Sequence, residues 1–316
     1  MSKLRLSKLV LCCGAALPVA YGIHFGIIQA IDRGDSLYTE FHEADNAVWS
    51  AGGFLLMAGG QSAAPRFSAY DVYGIKLEAL QLDINGARQL NVLSGRYSRS
   101  DDGFWAIAGS AYSGSDTASM FLALITPGAK TKTVIRTSPF VPSIVLCTPD
   151  GKIWTVGQTI DHGEPSASEQ FVIRRFDRSG RLVGSALSRV GPTAVSRAIS
   201  RSHLVASRDR VGWYSPQEGQ YVEFSLNGDQ IGQYTMPEAN VETLALCGDN
   251  SLWATVRTSQ SDKKSRRIVP LERSGSGIRV LAPLANRGYL YGCDGLRTLI
   301  VSSQAARSVF TRVPTT

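Results

Sequence analysis

The stretch of sequence that decides the fold runs from Pro149 to Val156 and reads PDGKIWTV. It joins an Asp-Gly pair, which favours the backbone angles of a tight turn, to a short apolar run that is typical of a β-strand. The same pattern, an aspartate followed four residues later by a tryptophan, returns at intervals and indicates an internal repeat. Its instances in register are Asp101–Trp105, Asp150–Trp154, Asp209–Trp213 and Asp249–Trp253.

Two further positions extend this tryptophan ladder. Residues 53–59 (GFLLMAG) mirror residues 103–109 (GFWAIAG), so Leu55 takes the first position, and an Asp-Gly pair leads to Leu299 at the other end. Trp49 also follows an aspartate by four residues, but it lies out of register with the others. The rungs Leu55, Trp105, Trp154, Trp213, Trp253 and Leu299 are separated by 50, 49, 59, 40 and 46 residues.

A second ladder is independent of the first and ends in glycine. Each member is a large apolar residue followed four positions later by glycine, which supplies the positive φ angles of hairpin turns. The residues around these turns alternate in polarity, which indicates strands with two different faces. The pairs are Tyr70–Gly74, Leu124–Gly128, Phe176–Gly180, Phe224–Gly228 and Leu271–Gly275, with Phe310–Pro314 in the sixth place.

The two ladders interlock, so each repeat contains four antiparallel strands in about 50 residues. This is the content of one propeller blade. The sequence therefore predicts an all-β fold, a six-bladed β-propeller of four-stranded antiparallel blades, as a single domain over residues 36–316. A pair of β-sandwiches would also show alternation, but it does not require the same turn at the same phase of every repeat.

The last repeat contains only three strands, because the sequence stops soon after Phe310. An unpaired strand edge is a liability that proteins usually cover. We therefore expect the N-terminal strand within residues 36–41 to pair with the strand at residues 308–313 and to close the ring.

The motifs PDGKIWTV and FVIRRFDRSGRLVGSAL, the second at residues 171–187, resemble those of the NHL-repeat and related six-bladed propellers. The resemblance covers roughly residues 37–316. The Trp-Asp endings and Gly-His openings of WD40 repeats are missing from the sequence. The resemblance implies the same six-bladed architecture.

The N-terminus carries an export signal. Lys3, Arg5 and Lys8 precede an uncharged run over residues 9–31. One interpretation is a signal peptide over residues 1–22, cleaved after Gly22, and the other is an uncleaved membrane anchor over residues 9–31. Both place the rest of the chain in the periplasm or outside the cell, where disulfides persist.

The charge of the chain is mildly basic. The formal net charge is +7, and three of the positive charges belong to the N-terminal segment. No aromatic-and-basic pattern accompanies it, so we expect no nucleic-acid partner. Contact with a membrane is expected only through the N-terminal segment, if that segment is not cleaved.

The candidate binding residues lie in long connections that follow the tryptophan strands, at residues 59–66, 109–119, 157–170 and 257–267. Connections at the same phase of each blade share one face, where they can form a recognition surface. Carboxylates beside a histidine can bind a cation or transfer protons, and a basic cluster can meet an anionic partner. Solvated loops are the alternative. The candidates are Asp161, His162 and Glu164, and Lys263, Lys264, Arg266 and Arg267.

Three cysteines follow the N-terminal segment, and an odd number cannot all pair with one another. Cys247 and Cys293 belong to neighbouring repeats and are candidates for a disulfide, with buried free thiols as the alternative. Cys147 occupies the corresponding position of an earlier repeat.

These features favour an exported, non-catalytic binding or scaffold propeller whose ligand, a protein or a small molecule, meets the long connections. The alternative is a metal-dependent enzyme of lactonase or lyase type with its site in the central channel. That alternative follows from similarity to gluconolactonase-like propellers, which hold a metal with carboxylates and an asparagine. We expect no cofactor for the binding protein. Calcium or zinc is expected only if the protein is the metal-dependent enzyme.

Closure of the ring is directly testable. Deleting residues 23–44 removes the closing strand, and we expect the melting temperature of the whole domain to fall because the last blade regains an open edge. An unchanged melting temperature in the truncated protein would show that the closing strand contributes nothing.

Overall fold

The computed structural model describes residues 38–41, 47–50, 53–58, 61–62, 64–71, 76–98, 103–114, 118–126, 128, 132–237, 240–257, 266–284, 289–302 and 308–315. Strands dominate these residues, which confirms the predicted all-β class. The apolar run 9–31 and the cleavage site after Gly22 lie outside them. Within the described ranges, no helix combines the length and apolar character needed to cross a bilayer.

The first half of the chain builds three successive sets of four strands. The short strand β1 precedes them, and two short strands, β4 and β13, lie in connections. The bounds are β1 (Tyr38–Phe41); β2 (Ala47–Ser50), β3 (Gly53–Ala58), β4 (Gln61–Ser62), β5 (Arg66–Asp71) and β6 (Lys76–Gln81); β7 (Gln89–Ser98), β8 (Phe104–Tyr112), β9 (Ala118–Ile125) and β10 (Lys132–Arg136); β11 (Phe140–Cys147), β12 (Ile153–Asp161), β13 (Glu164–Pro165), β14 (Glu169–Phe176) and β15 (Leu182–Val190).

The second half repeats this plan after one α-helix. Its last set has three strands of its own and takes β1 as the fourth. The bounds are α1 (Pro192–Ile199); β16 (His203–Ala206), β17 (Arg210–Ser215), β18 (Gln220–Ser225) and β19 (Gln230–Thr235); β20 (Asn240–Leu246), β21 (Leu252–Arg257), β22 (Arg266–Ser274) and β23 (Gly277–Val280); β24 (Tyr289–Asp294), β25 (Thr298–Ser302) and β26 (Ser308–Pro314).

Pairing within the sets is antiparallel from one strand to the next, and two features join neighbouring sets. The strand β4 pairs with β7, so the connection after β3 extends the second set. A single parallel bridge between Thr235 and Gly277 joins the fourth and fifth sets at their outer strands, which makes one eight-stranded sheet of them.

Both ladders lie where the repeat predicted them. Every rung of the tryptophan ladder, from Leu55 to Leu299, falls in the second strand of its set, and every apolar residue of the glycine ladder falls in the third. Trp49 lies in the first strand of the first set, out of register as predicted. Trp105, Trp154 and Trp213 are fully buried, where each ring fills space between sheets.

Asp150 and Asp249 of the tryptophan ladder act as turn residues. The Asp249 carboxylate accepts the backbone N–H of Ser251 at 2.9 Å. The Asp150 carboxylate accepts the Thr148 hydroxyl at 2.6 Å within the turn between β11 and β12. These bonds hold the tight turns in the way that Asx side chains commonly do.

The first strands of the sets contact one another in a closed circuit. Each of β2, β7, β11, β16, β20 and β24 contacts the next, and β24 contacts β2 again. The last step of the circuit depends on the chain ends, because β1 pairs with β26 as the sequence predicted. Tyr38 lies opposite Thr311 and Phe41 lies opposite Ser308 in an antiparallel register.

The first strands are bulged at related points of four sets. The pairing with the second strand skips Leu93, Ser143, Glu242 and Tyr291. A bulge leaves one residue unpaired and re-aims the side chains beside it. Gly157 lies opposite the second of these bulges, and a Cβ there would overlap the carbonyl oxygen of Val141, so the backbone approach requires glycine.

The longest spacing of the tryptophan ladder, 59 residues between Trp154 and Trp213, contains α1. The repeat pattern did not predict this helix. Pro192 starts it, and its buried residues Val195 and Ala198 pack against the cluster that contains both tryptophans. The helix therefore fills space between the third and fourth sets.

The connections expected as long loops are partly strand. The strand β8 continues to Tyr112 and β12 continues to Asp161, because both stay paired with the first strand of their set. Where β12 ends it forms a hairpin with β13, and His162 and Gly163 make the turn with φ angles of 48° and 89°. The loops after β8 and β12 therefore begin later than the sequence predicted.

Candidate functional site

The first strands enclose a cavity of about 710 Å³. It is lined from β7, β11, β16, β20 and β24 and by the residues that follow these strands. On β24 it extends from Tyr289, the first residue, to Cys293 near the end, so it follows the length of the inner strands. A cavity of this size at the centre of the circuit is in the range of small-molecule sites.

Apolar residues make up much of the cavity lining. Leu93, Ile144, Leu204, Leu244 and Leu290 line it, one from each of the five strands. Leu93 is 42% exposed and Ile144 half-buried, whereas Leu204, Leu244 and Leu290 are buried in the core clusters with only a small part exposed. Such a surface favours an apolar ligand, because burial of apolar area stabilises a complex by roughly 25 cal/mol for each Å² removed from water.

Hydroxyl groups of the wall bind the backbone of neighbouring strands. Ser94 Oγ accepts the N–H of Val145 at 3.1 Å, which joins β7 to β11. Thr243 donates its hydroxyl to Thr255 Oγ1 at 2.9 Å, and the same oxygen accepts the N–H of Leu290 at 2.8 Å. These groups hold the inner strands together.

Arg96 brings a positive charge to the wall. Its guanidinium is half-buried and donates Nη1 to the carbonyl of Gly95 at 2.8 Å. No carboxylate of the described residues lies within ion-pairing distance of it, and burial lowers its pKa. The sequence analysis did not single out this residue. The available signal was a charge within the predicted inner strand, nine residues before Trp105.

His203 is the imidazole of the wall. Its ring stacks on Tyr214, with centroids 5.9 Å apart and planes 11° from parallel. Burial lowers the pKa of His203 from 6.5 to about 4, so the side chain is neutral at pH 7. Its acidic neighbours made His162 the candidate from sequence, whereas His203 is the histidine that lines the cavity among the described residues.

The cysteines lie along the same inner strands. The structure joins Cys247 and Cys293 as a disulfide, with the two Cα atoms 5.2 Å apart, and so links the fifth and sixth sets. Cys147 is free and buried, and burial raises the pKa of its thiol to about 12. A protonated thiol is a poor nucleophile and a poor metal ligand.

A charged cluster lies beside the cavity where β20, β22 and β24 meet. Glu242 pairs with both Arg257 and Arg266. The Arg266 guanidinium lies 5.3 Å from the ring centroid of Tyr289, which lines the cavity. Burial raises the pKa of Tyr289, and the charge of Glu242 adds to that effect. The candidate Arg266 from sequence thus contacts a wall residue.

None of the described candidate binding residues from sequence is itself a lining residue of the cavity. Asp161, His162 and Glu164 belong to the β12–β13 hairpin, where His162 is 98% exposed and lies 3.6 Å from Asp161. Arg267 is exposed on β22. Lys263 and Lys264 lie outside the described residues. The structure therefore does not bring the acidic and basic candidates together into one site.

The wall does not fit a calcium or zinc centre. Its described residues include no Asp or Glu, and their nitrogen and sulfur donors are Arg96, His203, the protonated Cys147 and a disulfide sulfur. Calcium requires several oxygen ligands, and zinc requires three or four ligands of the Cys, His or carboxylate type. Nor does any group of three such residues elsewhere in the described ranges suit a metal ion.

Comparison with solved structures identifies the fold as a β-propeller. The Dos1 propeller matches at a TM-score of 0.50 and 9% identity, over 89% of this chain and 74% of that chain. Virginiamycin B lyase from Staphylococcus aureus matches at a TM-score of 0.45 and 13% identity, over 88% of this chain and 99% of that chain. A luciferin-regenerating enzyme matches at a TM-score of 0.48 and 11% identity, over 88% of this chain and 95% of that chain. At these identities the likeness concerns the propeller fold alone and does not extend to the NHL subfamily.

No protein-family model matches the sequence, and no curated protein matches it. The fold by itself hosts enzymes and binding proteins alike. Function therefore has to be argued from the cavity.

The disulfide between the fifth and sixth sets should contribute measurably to stability. It spans 46 residues, and the loop-entropy relation gives about 4 kcal/mol as an upper figure for such a loop. We expect a reductant to lower the melting temperature of the wild type and of the control Cys147→Ala. The double variant Cys247→Ser, Cys293→Ser should have a lower melting temperature than the wild type, and the reductant should not change it. A reductant-insensitive wild type would contradict this contribution.

Burial of His203 should make stability fall in mild acid. Its pKa is about 4 in the folded protein and about 6.5 when unfolded, so the unfolded chain takes up the proton first as the pH drops. The free energy of unfolding should fall by up to roughly 3 kcal/mol between pH 6.5 and pH 4 on this account. His203→Gln should remove this component, and His162→Gln, at an exposed position, should keep it. Parallel pH profiles for all three proteins would refute the assignment.

Proposed function

We propose that this β-propeller is an exported, non-catalytic binding protein that takes a small amphipathic molecule into its central channel. The observation that carries the proposal is the cavity wall, which combines aliphatic side chains with hydroxyls that bind neighbouring strands. Such a wall can bury a ligand, but it presents no activated nucleophile, since burial raises the pKa of the Cys147 thiol to about 12.

We infer that each four-stranded set is one blade, which gives six blades in a single domain over residues 36–316. The closed circuit of first strands and the pairing of β1 with β26 support this inference. The parallel bridge at Thr235 does not argue against it, because one bridge joins only the outer edges of the fourth and fifth sets.

The ligand enters, on this proposal, from the face where the inner strands begin. The connections between second and third strands lie on that face, since strand direction alternates within each antiparallel set. Arg266, at the start of β22, and Tyr289, at the start of β24, bring that face into contact with the cavity. The short connections suit a channel ligand better than a large recognition surface built from loops.

Export rests on two features. The basic and apolar N-terminus has the composition of a signal peptide over residues 1–22 or of an anchor over residues 9–31. The disulfide between Cys247 and Cys293 suits an oxidising compartment. A metal-dependent lactonase or lyase is the weaker candidate, because the described wall lacks the carboxylates that such a centre requires.

A neutral dye tests channel binding. N-phenyl-1-naphthylamine gains fluorescence in apolar surroundings, so the wild type should bind it saturably. Ser143 is a bulged residue of the wall, and Ser143→Trp should fill the cavity and weaken dye binding about tenfold or more, whereas Ser143→Ala should bind as the wild type does. Equal melting temperatures would show that both variants are folded.

Two results would contradict the proposal. The first is a failure of the wild type to bind the dye, or equal binding by the Ser143→Trp variant. The second is a rise in the melting temperature on adding calcium or zinc that Ser143→Trp removes, because this would assign the channel to a metal.

A further inference from the structure

We propose that the channel selects an organic anion, a molecule with an apolar body and one carboxylate that pairs with Arg96. This proposal rests on the proposed function and names the chemical class of its ligand. It starts from the charge of the wall. Among the described lining residues Arg96 carries the one full charge at pH 7, because the others are aliphatic or hydroxyl-bearing, or are held neutral.

Arg96 differs from the other half-buried arginines of the described chain in the partners of its guanidinium. Six of them pair with a carboxylate, and two place the guanidinium over an aromatic ring. Arg96 has neither kind of partner there, and its recorded bond is to one backbone carbonyl. The six are Arg189, Arg210, Arg257, Arg266, Arg273 and Arg312, and the two are Arg174 and Arg175.

Toward the described residues the guanidinium therefore has donors to spare, and the side chain belongs to the cavity wall. Arginine presents five N–H donors in a planar fork, and the bond to Gly95 uses one of them. A carboxylate accepts two such donors side by side, which gives the strongest and most directional pairing that arginine makes. Burial lowers the pKa of Arg96 and shows that the charged form is poorly solvated there, so an incoming anion compensates a cost that the protein already bears.

The rest of the wall suits the body of the same molecule. Leu93, which is 42% exposed, offers apolar area, and Tyr289 adds an aromatic face. A ligand held by one guanidinium and an aliphatic wall is a monoanion with a hydrocarbon or aromatic body. Inorganic phosphate and other compact, highly charged anions would need several cations at one point, and the described wall supplies one.

The neutral His203 strengthens this selectivity at physiological pH. It lines the same cavity without adding a second charge. No carboxylate of the described wall repels an incoming anion or competes for the guanidinium. Within the described wall, Arg96 is accordingly the charge that sets the electrostatic preference.

Displacement of N-phenyl-1-naphthylamine by decanoate and by 1-decanol tests the proposal. The two competitors have the same chain length and differ in the charged group. Decanoate should displace the dye from the wild type at about tenfold lower concentration than 1-decanol, as expected for one charge-assisted pair. Arg96→Gln should remove this preference, so that decanoate and 1-decanol displace the dye at similar concentrations. Arg96→Lys should keep part of it, and Arg136→Gln, at an exposed position on β10, should keep all of it.

The outcomes separate this proposal from the one on which it rests. Equal displacement by decanoate and 1-decanol in the wild type, or an unchanged preference in both Arg96 variants, would overturn the carboxylate assignment and leave channel binding standing. Displacement by inorganic phosphate as effective as by decanoate would also overturn it. A wild type that does not bind the dye would refute channel binding itself.

Discussion

The pairing of β1 with β26 is the constraint on which the rest of the structure depends. Tyr38 and Phe41 come from the start of the fold, and their partners Thr311 and Ser308 come from its end, so this one ladder fixes the first and last sets side by side. Without it, β26 would be a free edge of the last set, and no strand from the start of the fold would be paired with that set. With it, the inner strands enclose a central space that no single set could form.

Contacts between neighbouring sets then make the ring rigid. The buried carboxylate of Glu223 accepts hydrogen bonds from Tyr221 at 3.0 Å and from Arg273 of the next set at 2.9 Å. Glu223 also pairs with Arg210, so removing this carboxylate would leave two half-buried guanidinium groups without this partner, which costs more than an exposed pair contributes. The Cys247–Cys293 disulfide performs a related role between the fifth and sixth sets at the channel. A rigid wall suits a binding site, because little conformational entropy is lost when the ligand binds.

The repeat could be predicted from sequence, and the channel wall could not. Trp105 and Phe176 mark second and third strands because tight turns fix their phase, so spacing alone placed them in the right strands. The candidate residues failed for the opposite reason. His162 was a candidate because it lies in a connection beside acidic residues, but it is a turn residue. Arg96 and His203 lie in strands, where the direction of a side chain depends on strand pairing and on neighbouring bulges. No local composition marks a bulge, and α1 was missed because it interrupts the period.

The direct test of this architecture is hydrogen exchange at the two ends of the chain in the intact protein. The account predicts that the ladder amides of β1, over Tyr38–Phe41, exchange slowly and lose protection together with those of β26, since each strand bonds to the other. Such shared protection marks a single cooperative unit. Exchange of β1 at the rate of an unstructured peptide, beside a protected β26, would contradict closure of the ring and with it the enclosed channel.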